Sequence, residues 1–234
     1  MRERLLEVKR LGRVAYSDSL ALQKDFENDV IERRELDYLL LLEHPNTFTL
    51  GRRSTDGGVL ATADMLRKLG VDVFEINRGG KVTYHGLGQL VGYPIISLSP
   101  DREDVHKYVR DLEEVLIRTM ADFEIDAFRI EGLTGVHTTD GKIAAIGVHI
   151  KRWVTTHGFA LNVNTDLSYY NWIIACEGEP VTSMNKILGR DIDLSEVEER
   201  IVYNFAEFFG FSRSAISLGR KRSRGNGQIA ATLL

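Results

Sequence analysis

The chain contains a single cysteine, Cys176. An internal disulfide framework is therefore excluded, and a cysteine-based zinc site is disfavoured. Long apolar runs are also missing: residues 39–42 are four leucines, far too few to span a bilayer. The start, Met1-Arg2-Glu3-Arg4-Leu5-Leu6-Glu7, is charged and lacks the apolar stretch of a secretory signal. Neither half carries an excess of one charge, and the net charge is −4, which argues against a nucleic-acid-binding body. No G-x-x-x-x-G-K-[ST] phosphate loop and no G-x-S-x-G nucleophile elbow occur. The histidines His44, His85, His106, His137, His149 and His157 include no H-x-x-x-H pair and no accompanying carboxylate cluster, so no metal site is expected. No internal repeat is visible. These absences point to a soluble protein of a reducing cytosol.

What is present is ordinary globular material. With 43% apolar and 27% charged residues, the composition argues against disorder. The length of 234 residues suits one domain with a substantial core. Leu22, Phe26 and Val30 recur at helical spacing and predict a helix over 18–34. A buried strand is expected over 37–43, then a turn at His44-Pro45-Asn46 and a strand over 47–50. Residues 62–69 read as a short helix stopped by Gly70, followed by strands over 71–76, 82–85 and 90–97. Val105, Val109, Leu112, Leu116, Met120 and Phe123 predict a helix over 102–123. Strands are expected over 128–131 and 136–139. Asp140-Gly141 signals a hairpin returning over 142–150, with a further strand over 157–163. Residues 165–192 read as loop-rich. Ser195-Glu196-Val197-Glu198 has the form of a capping box, opening a helix with Val197, Ile201, Phe205 and Phe208 that Gly210 closes. Strands and helices mix without a regular βαβ rhythm. The expectation is an α+β fold with a mixed, mostly antiparallel sheet flanked by helices. Residues 1–212 form its single domain, and 213–234 a basic, glycine-rich, flexible tail.

The most unusual stretch is Asn77-Arg78-Gly79-Gly80-Lys81-Val82-Thr83-Tyr84-His85-Gly86-Leu87-Gly88-Gln89. Adjacent glycines let a ligand approach the main chain. Arg78, Thr83 and His85 beside exposed N–H groups suit a carbonyl or a thioester. A glycine-rich turn with a satisfied histidine is the competing reading. Cys176 lies in a loop beside Gly178. As a lone cysteine it is either a small buried hydrophobe or a nucleophile whose thiolate needs a nearby cation. Lys142 is the candidate cation: it follows a tight turn and begins a strand of small apolar residues. It is either an exposed turn lysine or the partner of the thiolate in acyl transfer.

Five ordered blocks carry a resemblance. Arg78-Gly79-Gly80-Lys81-Val82-Thr83-Tyr84-His85-Gly86, with Gly88-Gln89, resembles the signature of the octanoyl-[acyl-carrier-protein]:protein N-octanoyltransferases, also called lipoyl(octanoyl) transferases. His44-Pro45 through Thr49 and Gly51, the run from Gly141-Lys142 to Ile146-Gly147, Thr156-His157-Gly158-Phe159-Ala160-Leu161-Asn162-Val163, and Cys176 with Gly178 and Val181-Thr182-Ser183 are similar to its other blocks. Together they cover roughly residues 10–210.

The resemblance implies the biotin/lipoate protein ligase fold. It also implies an acyltransferase of lipoate biosynthesis that needs no cofactor. Octanoyl-acyl carrier protein would be the donor. Lipoyl domains of 2-oxoacid dehydrogenase E2 subunits and the glycine cleavage H protein would be the acceptors. No nucleic acid or membrane is involved, and the protein is expected to be a cytoplasmic monomer. Cys176 would carry the octanoyl thioester, and Lys142 would lower its pKa. Arg78, Gly79, Gly80, Lys81, Val82, Thr83, Tyr84 and His85, with Ala145, Ile146, Gly147, Gly158, Phe159 and Ala160, would line the octanoyl pocket. The chain departs from the family at Leu87, where proline is usual, and at Glu177, which adds a negative charge beside the cysteine. Two other readings stay open. One is an ATP-dependent lipoate or biotin ligase, which needs no cysteine. The other is a binding module that holds an acyl or lipoyl group without turnover.

Overall fold

The computed structural model describes residues 4–33, 36–54, 57–175 and 179–218. In chain order the strands and first helices are β1 (Leu5–Arg13), α1 (Tyr16–Arg33), β2 (Leu36–Glu43), β3 (Thr47–Leu50), α2 (Ala63–Leu69), β4 (Asp72–Glu75), β5 (Val82–His85) and β6 (Gln89–Ile95). They continue with α3 (Val105–Ala121), β7 (Val136–Thr138), β8 (Gly141–Lys151), β9 (Val154–Asn162), α4 (Met184–Leu188), α5 (Leu194–Phe209) and β10 (Ile216–Leu218).

The leucine run of β2 explains the layering. Side chains alternate across a strand, so Leu39 and Leu41 enter the core under α3 and α5, while Leu40 and Leu42 enter a second core on the opposite face. Both faces are covered, which is why the run is apolar without interruption. On α3, Leu112, Leu116 and Met120 face the first core, and Val197, Ile201 and Phe205 join them from α5. Val105, expected on that apolar stripe, is exposed.

The strands form two sheets rather than one. The larger has the order β10-β1-β2-β6-β9-β8-β7, and the smaller has the order β4-β3-β5. Pairing is parallel for β1 with β10, β1 with β2, and β3 with β4; the rest is antiparallel. The mixed, mostly antiparallel α+β architecture expected from the sequence is therefore present.

Several local expectations change. Sequence periodicity predicts nothing before residue 18, yet β1 buries Leu6 and Val8 on either side of Glu7. The buried face of α1 is Tyr16, Ser19, Gln23, Glu27 and Val30, so Leu22 and Phe26 are only half-buried. The helix meets polar groups of β8 and β9 as well as apolar ones: Lys151 lies 3.9 Å from Glu27, and Gln23 bonds the backbone of His157. The expected strand over 128–131 is only a bridge between Phe128 and His137, because the chain turns at Gly132 with φ +81°. The cap of α5 is Asp193, whose side chain accepts from Ser195 N–H, so Ser195 lies inside the helix. Residues 213–218, expected in the tail, form a helical turn (Arg213–Ala215) and β10, which pairs with β1. Residues 219–234 of the expected tail lie outside the described residues.

Candidate active site

A cleft of about 850 Å³ opens beside the glycine-rich stretch. Its walls come from β5, β8, β9, α3 and the loop at 132–134. Residues 78–83, His85, Lys142, 145–147 and 158–160 all line it. The structure thus brings together three segments separated by some sixty and ten residues of chain.

The glycine-rich loop is held against β8 by its backbone. Gly79 N–H donates to Val148 C=O at 3.0 Å. A Cβ on Gly147 would stand 2.9 Å from Gly79 O and 2.9 Å from Arg78 Cδ, closer than real contacts allow. Arg78 is buried. It donates to Thr49 C=O at 2.9 Å, to Thr49 Oγ1 at 2.8 Å and to Gly79 C=O at 2.9 Å. These bonds tie the loop to β3.

Tyr84 is placed differently from the expectation. It alternates with Thr83 and His85 along β5 and so points into the core of the small sheet. There it stacks on Tyr169 at 4.8 Å and donates to Asn46 Oδ1 at 2.9 Å. It does not line the cleft. Leu87, the departure from the family pattern, is exposed and away from the cleft walls.

Tyr16, Tyr93 and His157 also line the cleft and were not singled out by sequence reasoning. His157 lay within a quoted block, whereas Tyr16 and Tyr93 left no local signal. They join His85 in a buried aromatic and imidazole cluster with His44. His44 donates from Nδ1 to Val14 C=O at 2.7 Å and accepts at Nε2 from the Tyr93 hydroxyl at 2.8 Å. His85 Nδ1 donates to Gln89 Oε1 at 2.9 Å; the Gln89 amide is oriented by Nε2 bonds to Tyr84 C=O and Asn162 Oδ1. Burial lowers His44 and His157 to about 4 and His85 well below its usual value. Burial also raises Tyr16 to about 12. At neutral pH these four side chains are uncharged. With Ala145, Ile146, Gly147, Phe159 and Ala160, the side chains of Tyr16, His85 and His157 form a neutral part of the lining, while Arg52, Arg53, Arg78, Lys81, Arg110, Glu113, Lys142 and Glu179 line the rest of the cleft.

Lys142, the second residue of β8, is buried, with 6% of its surface accessible. Its Nζ donates to Thr134 C=O at 2.7 Å, which removes the reading of an exposed turn lysine. Its backbone anchors the chain beyond the cysteine. Lys142 N–H donates to Pro180 C=O at 2.8 Å, and Thr182 N–H donates to Lys142 C=O at 3.0 Å. On the other side of the cysteine, Ala175 bridges Val82. Ala175, Glu179, Thr83 and Lys142 border one small cavity of about 10 Å³. Cys176 and Glu177 lie outside the described residues.

Comparison with known proteins matches the chain to a family. The family model for the lipoyl protein ligase A/B catalytic domain matches residues 15–206. An octanoyltransferase of Solibacter usitatus is 50% identical over 205 residues, covering 87% of this chain and 93% of that one. An octanoyltransferase of Caldicellulosiruptor bescii is 42% identical over 221 residues, covering 93% and 96%. The fold is shared with a bi-partite lipoate protein ligase of Thermoplasma acidophilum, studied with its E2 lipoyl domain. That match has a TM-score of 0.70 and 18% identity, over 96% of this chain and 88% of that one. The chain belongs to the lipoyl protein ligase A/B catalytic-domain family, among its octanoyltransferases, and is an acyltransferase.

Proposed function

We propose that the chain moves an octanoyl group from octanoyl-acyl carrier protein to a lysine amine of lipoyl domains, through a thioester on Cys176. The observation that carries this reading is the anchoring around the cysteine. The chain before it is bridged to Val82 and the chain after it is hydrogen-bonded to Lys142. Both anchors, Val82 and Lys142, line the cleft.

The chemistry runs in two exchanges. The Cys176 thiolate attacks the donor's thioester carbonyl; a new S–C bond forms, the old one breaks, and the carrier's thiol leaves with a proton. The acceptor amine then attacks the Cys176 thioester. An amide forms, the S–C bond breaks, and one proton returns to sulfur. Lys142 supplies the cation beside the thiolate and is the group placed to hand over these protons. A thioester donor is already activated, so neither exchange calls for ATP. The part of the cleft lined by Ala145, Ile146, Gly147, Phe159 and Ala160 suits an alkyl chain, whose burial contributes on the order of 5 kcal/mol at about 0.8 kcal/mol per CH₂. E2 lipoyl domains and the glycine cleavage H protein are the acceptors in this reading. The Thermoplasma ligase, which has an E2 lipoyl domain as its partner, supports that choice of class.

The test is intact-protein mass after mixing with octanoyl-acyl carrier protein, without ATP. An octanoyl adduct that hydroxylamine removes and Cys176→Ser abolishes is expected, followed by transfer to a lipoyl domain. Lys142→Met, close to lysine in size, should slow adduct formation by about 10²–10⁴-fold while the thermal midpoint stays near wild type. The shared fold with a lipoate ligase favours one second reading, ATP-dependent loading of free octanoate. No adduct from the carrier thioester, with loading only when ATP and octanoate are added, would decide for it.

A further inference from the structure

Behind Lys142 lies a carboxylate that the transfer chemistry above does not use. Glu113 is on α3 and has no accessible surface. Its Oε2 pairs with Arg110 Nη1 at 2.8 Å and with Arg129 Nε at 3.2 Å. Its Oε1 accepts from the backbone N–H of Gly135 at 3.0 Å. The Gly135 N–H and the Thr134 C=O are opposite ends of one planar peptide group. That Thr134 carbonyl is the oxygen that accepts from Lys142 Nζ at 2.7 Å. One peptide therefore has an acidic side chain on its N–H and a lysine on its C=O.

We propose that Glu113 is a positioning residue for Lys142, acting through the Thr134–Gly135 peptide. An anion at the N–H and a cation at the C=O both follow the peptide dipole, so each hydrogen bond polarises and strengthens the other. Arg110 and Arg129 hold the carboxylate so that Oε1 is left for the N–H. The loop needs this restraint. Gly132 and Gly135 adopt φ of +81° and +123°, and glycine imposes little orientation of its own. The lysine stem also packs directly on this peptide: a Cβ on Gly135 would stand 2.6 Å from Lys142 Cε. When Glu113 no longer holds the N–H, the peptide turns more freely and the ammonium loses its fixed place in the cleft. The inference rests on the thioester reading of Cys176.

The other titratable groups around Lys142 are His137 and Glu179, paired at 3.4 Å. Burial lowers His137, so it is neutral through the neutral-to-alkaline range in which a thiol titrates. A purely bracing role for Glu113, clamping α3 through Arg129, is the competing account. Glu114 shares that brace, since it also pairs with Arg129, at 2.7 Å, and it does not touch the peptide.

The experiment is the pH dependence of iodoacetamide alkylation, read on the full chain, in which Cys176 is the sole cysteine. Wild type is expected to alkylate with a midpoint below the ordinary thiol value of about 8.5, and Lys142→Met to return it there. Glu113→Ala is expected to raise the wild-type midpoint by about one pH unit, the equivalent of one tenfold step. Octanoylation at saturating donor slows by about tenfold with KM unchanged. Glu113→Gln keeps an acceptor for the N–H, so its midpoint rises by about half as much. Glu114→Gln leaves midpoint and rate at wild type. A depressed wild-type midpoint that neither Glu113 variant moves overturns the proposal and leaves the thioester reading standing. If Glu113→Ala does not fold, Glu113→Gln alone decides, and an unchanged midpoint overturns the proposal. A shift as large in Glu114→Gln assigns the effect to the brace and also overturns it. A wild-type midpoint at the ordinary value removes the thioester reading and this proposal with it.

Discussion

Gln23 of helix α1 accepts, through Oε1, a 2.7 Å hydrogen bond from the backbone N–H of His157 on β9. His157 sits at φ +57°, a left-handed conformation unusual for a strand residue that is not glycine. Its N–H is turned out of the sheet ladder and toward the helix. The bond therefore ties α1 to the strand that lines the cleft.

Gln23→Leu removes that acceptor and leaves a buried N–H without a partner. The expected loss is about 1–3 kcal/mol of stability. The urea midpoint at neutral pH is the measurement, and an unchanged midpoint would show that the bond contributes nothing net.

Stability should fall as the pH drops from 6.5 toward 5. His44 and His157 are lowered to about 4 in the folded protein, and His85 well below its usual value, all chiefly by burial. Unfolded, each titrates near 6.5, so the unfolded chain binds more protons in that window. Their stabilising contribution is complete above 6.5 and is lost as pH falls toward the folded values. Asp37 works the other way: burial outweighs its Arg4 partner and raises it to about 6, so the folded state gains a proton there. His137 is lowered by burial as well, so four groups oppose one, at about 1.4 kcal/mol per pH unit for each proton. Urea midpoints at pH 7, 6 and 5 should decline, and a flat or rising series would contradict the placement of these rings.

Gly147→Ala should push the glycine-rich loop off β8. Gly79 O and the anchored Arg78 stem are both too close to a new Cβ. The expected cost is about 1–3 kcal/mol, with a raised KM for the octanoyl donor. Unfolding curves and initial rates together test it; unchanged values in both would mean the loop gives way freely.

Tyr84→Phe should separate the small sheet from the cleft. The variant leaves Asn46 Oδ1 without its donor, at a cost of about 1 kcal/mol, while donor KM and turnover stay at wild type. A raised KM would return Tyr84 to the pocket where the sequence motif had placed it.

Tyr84 also shows where motif reading stops. The motif names consecutive residues, but a strand sends neighbours to opposite faces, so Thr83 and His85 reach the cleft and Tyr84 does not. The strands at 47–50 and 82–85 were legible to the residue, because turn residues bound short, apolar-rich segments there. Helix α1 was legible as a helix but not in its buried face. Its apolar stripe through Leu22 and Phe26 lost to Gln23 and Glu27, which have specific polar partners on distant strands. Strand β10 was hidden because it is short and is formed only by pairing with β1 at the other end of the chain. Asp193 was passed over as the cap because Ser195 satisfies the same local pattern two residues later.

The sequence by itself determined the fold class, since apolar periodicity is a local property, and the motifs that carry the family resemblance named many of the cleft residues but missed Tyr16 and Tyr93 and wrongly included Tyr84. It also singled out Lys142. Only the tertiary structure decided what surrounds that lysine: the Thr134 carbonyl, the Glu113 carboxylate behind it, and the anchoring of the chain on either side of Cys176. Those partners come from α3, the loop before β7 and the segment after β9. Hydrogen bonds between groups so far apart in the chain depend on how the elements pack, and local sequence carries no record of that.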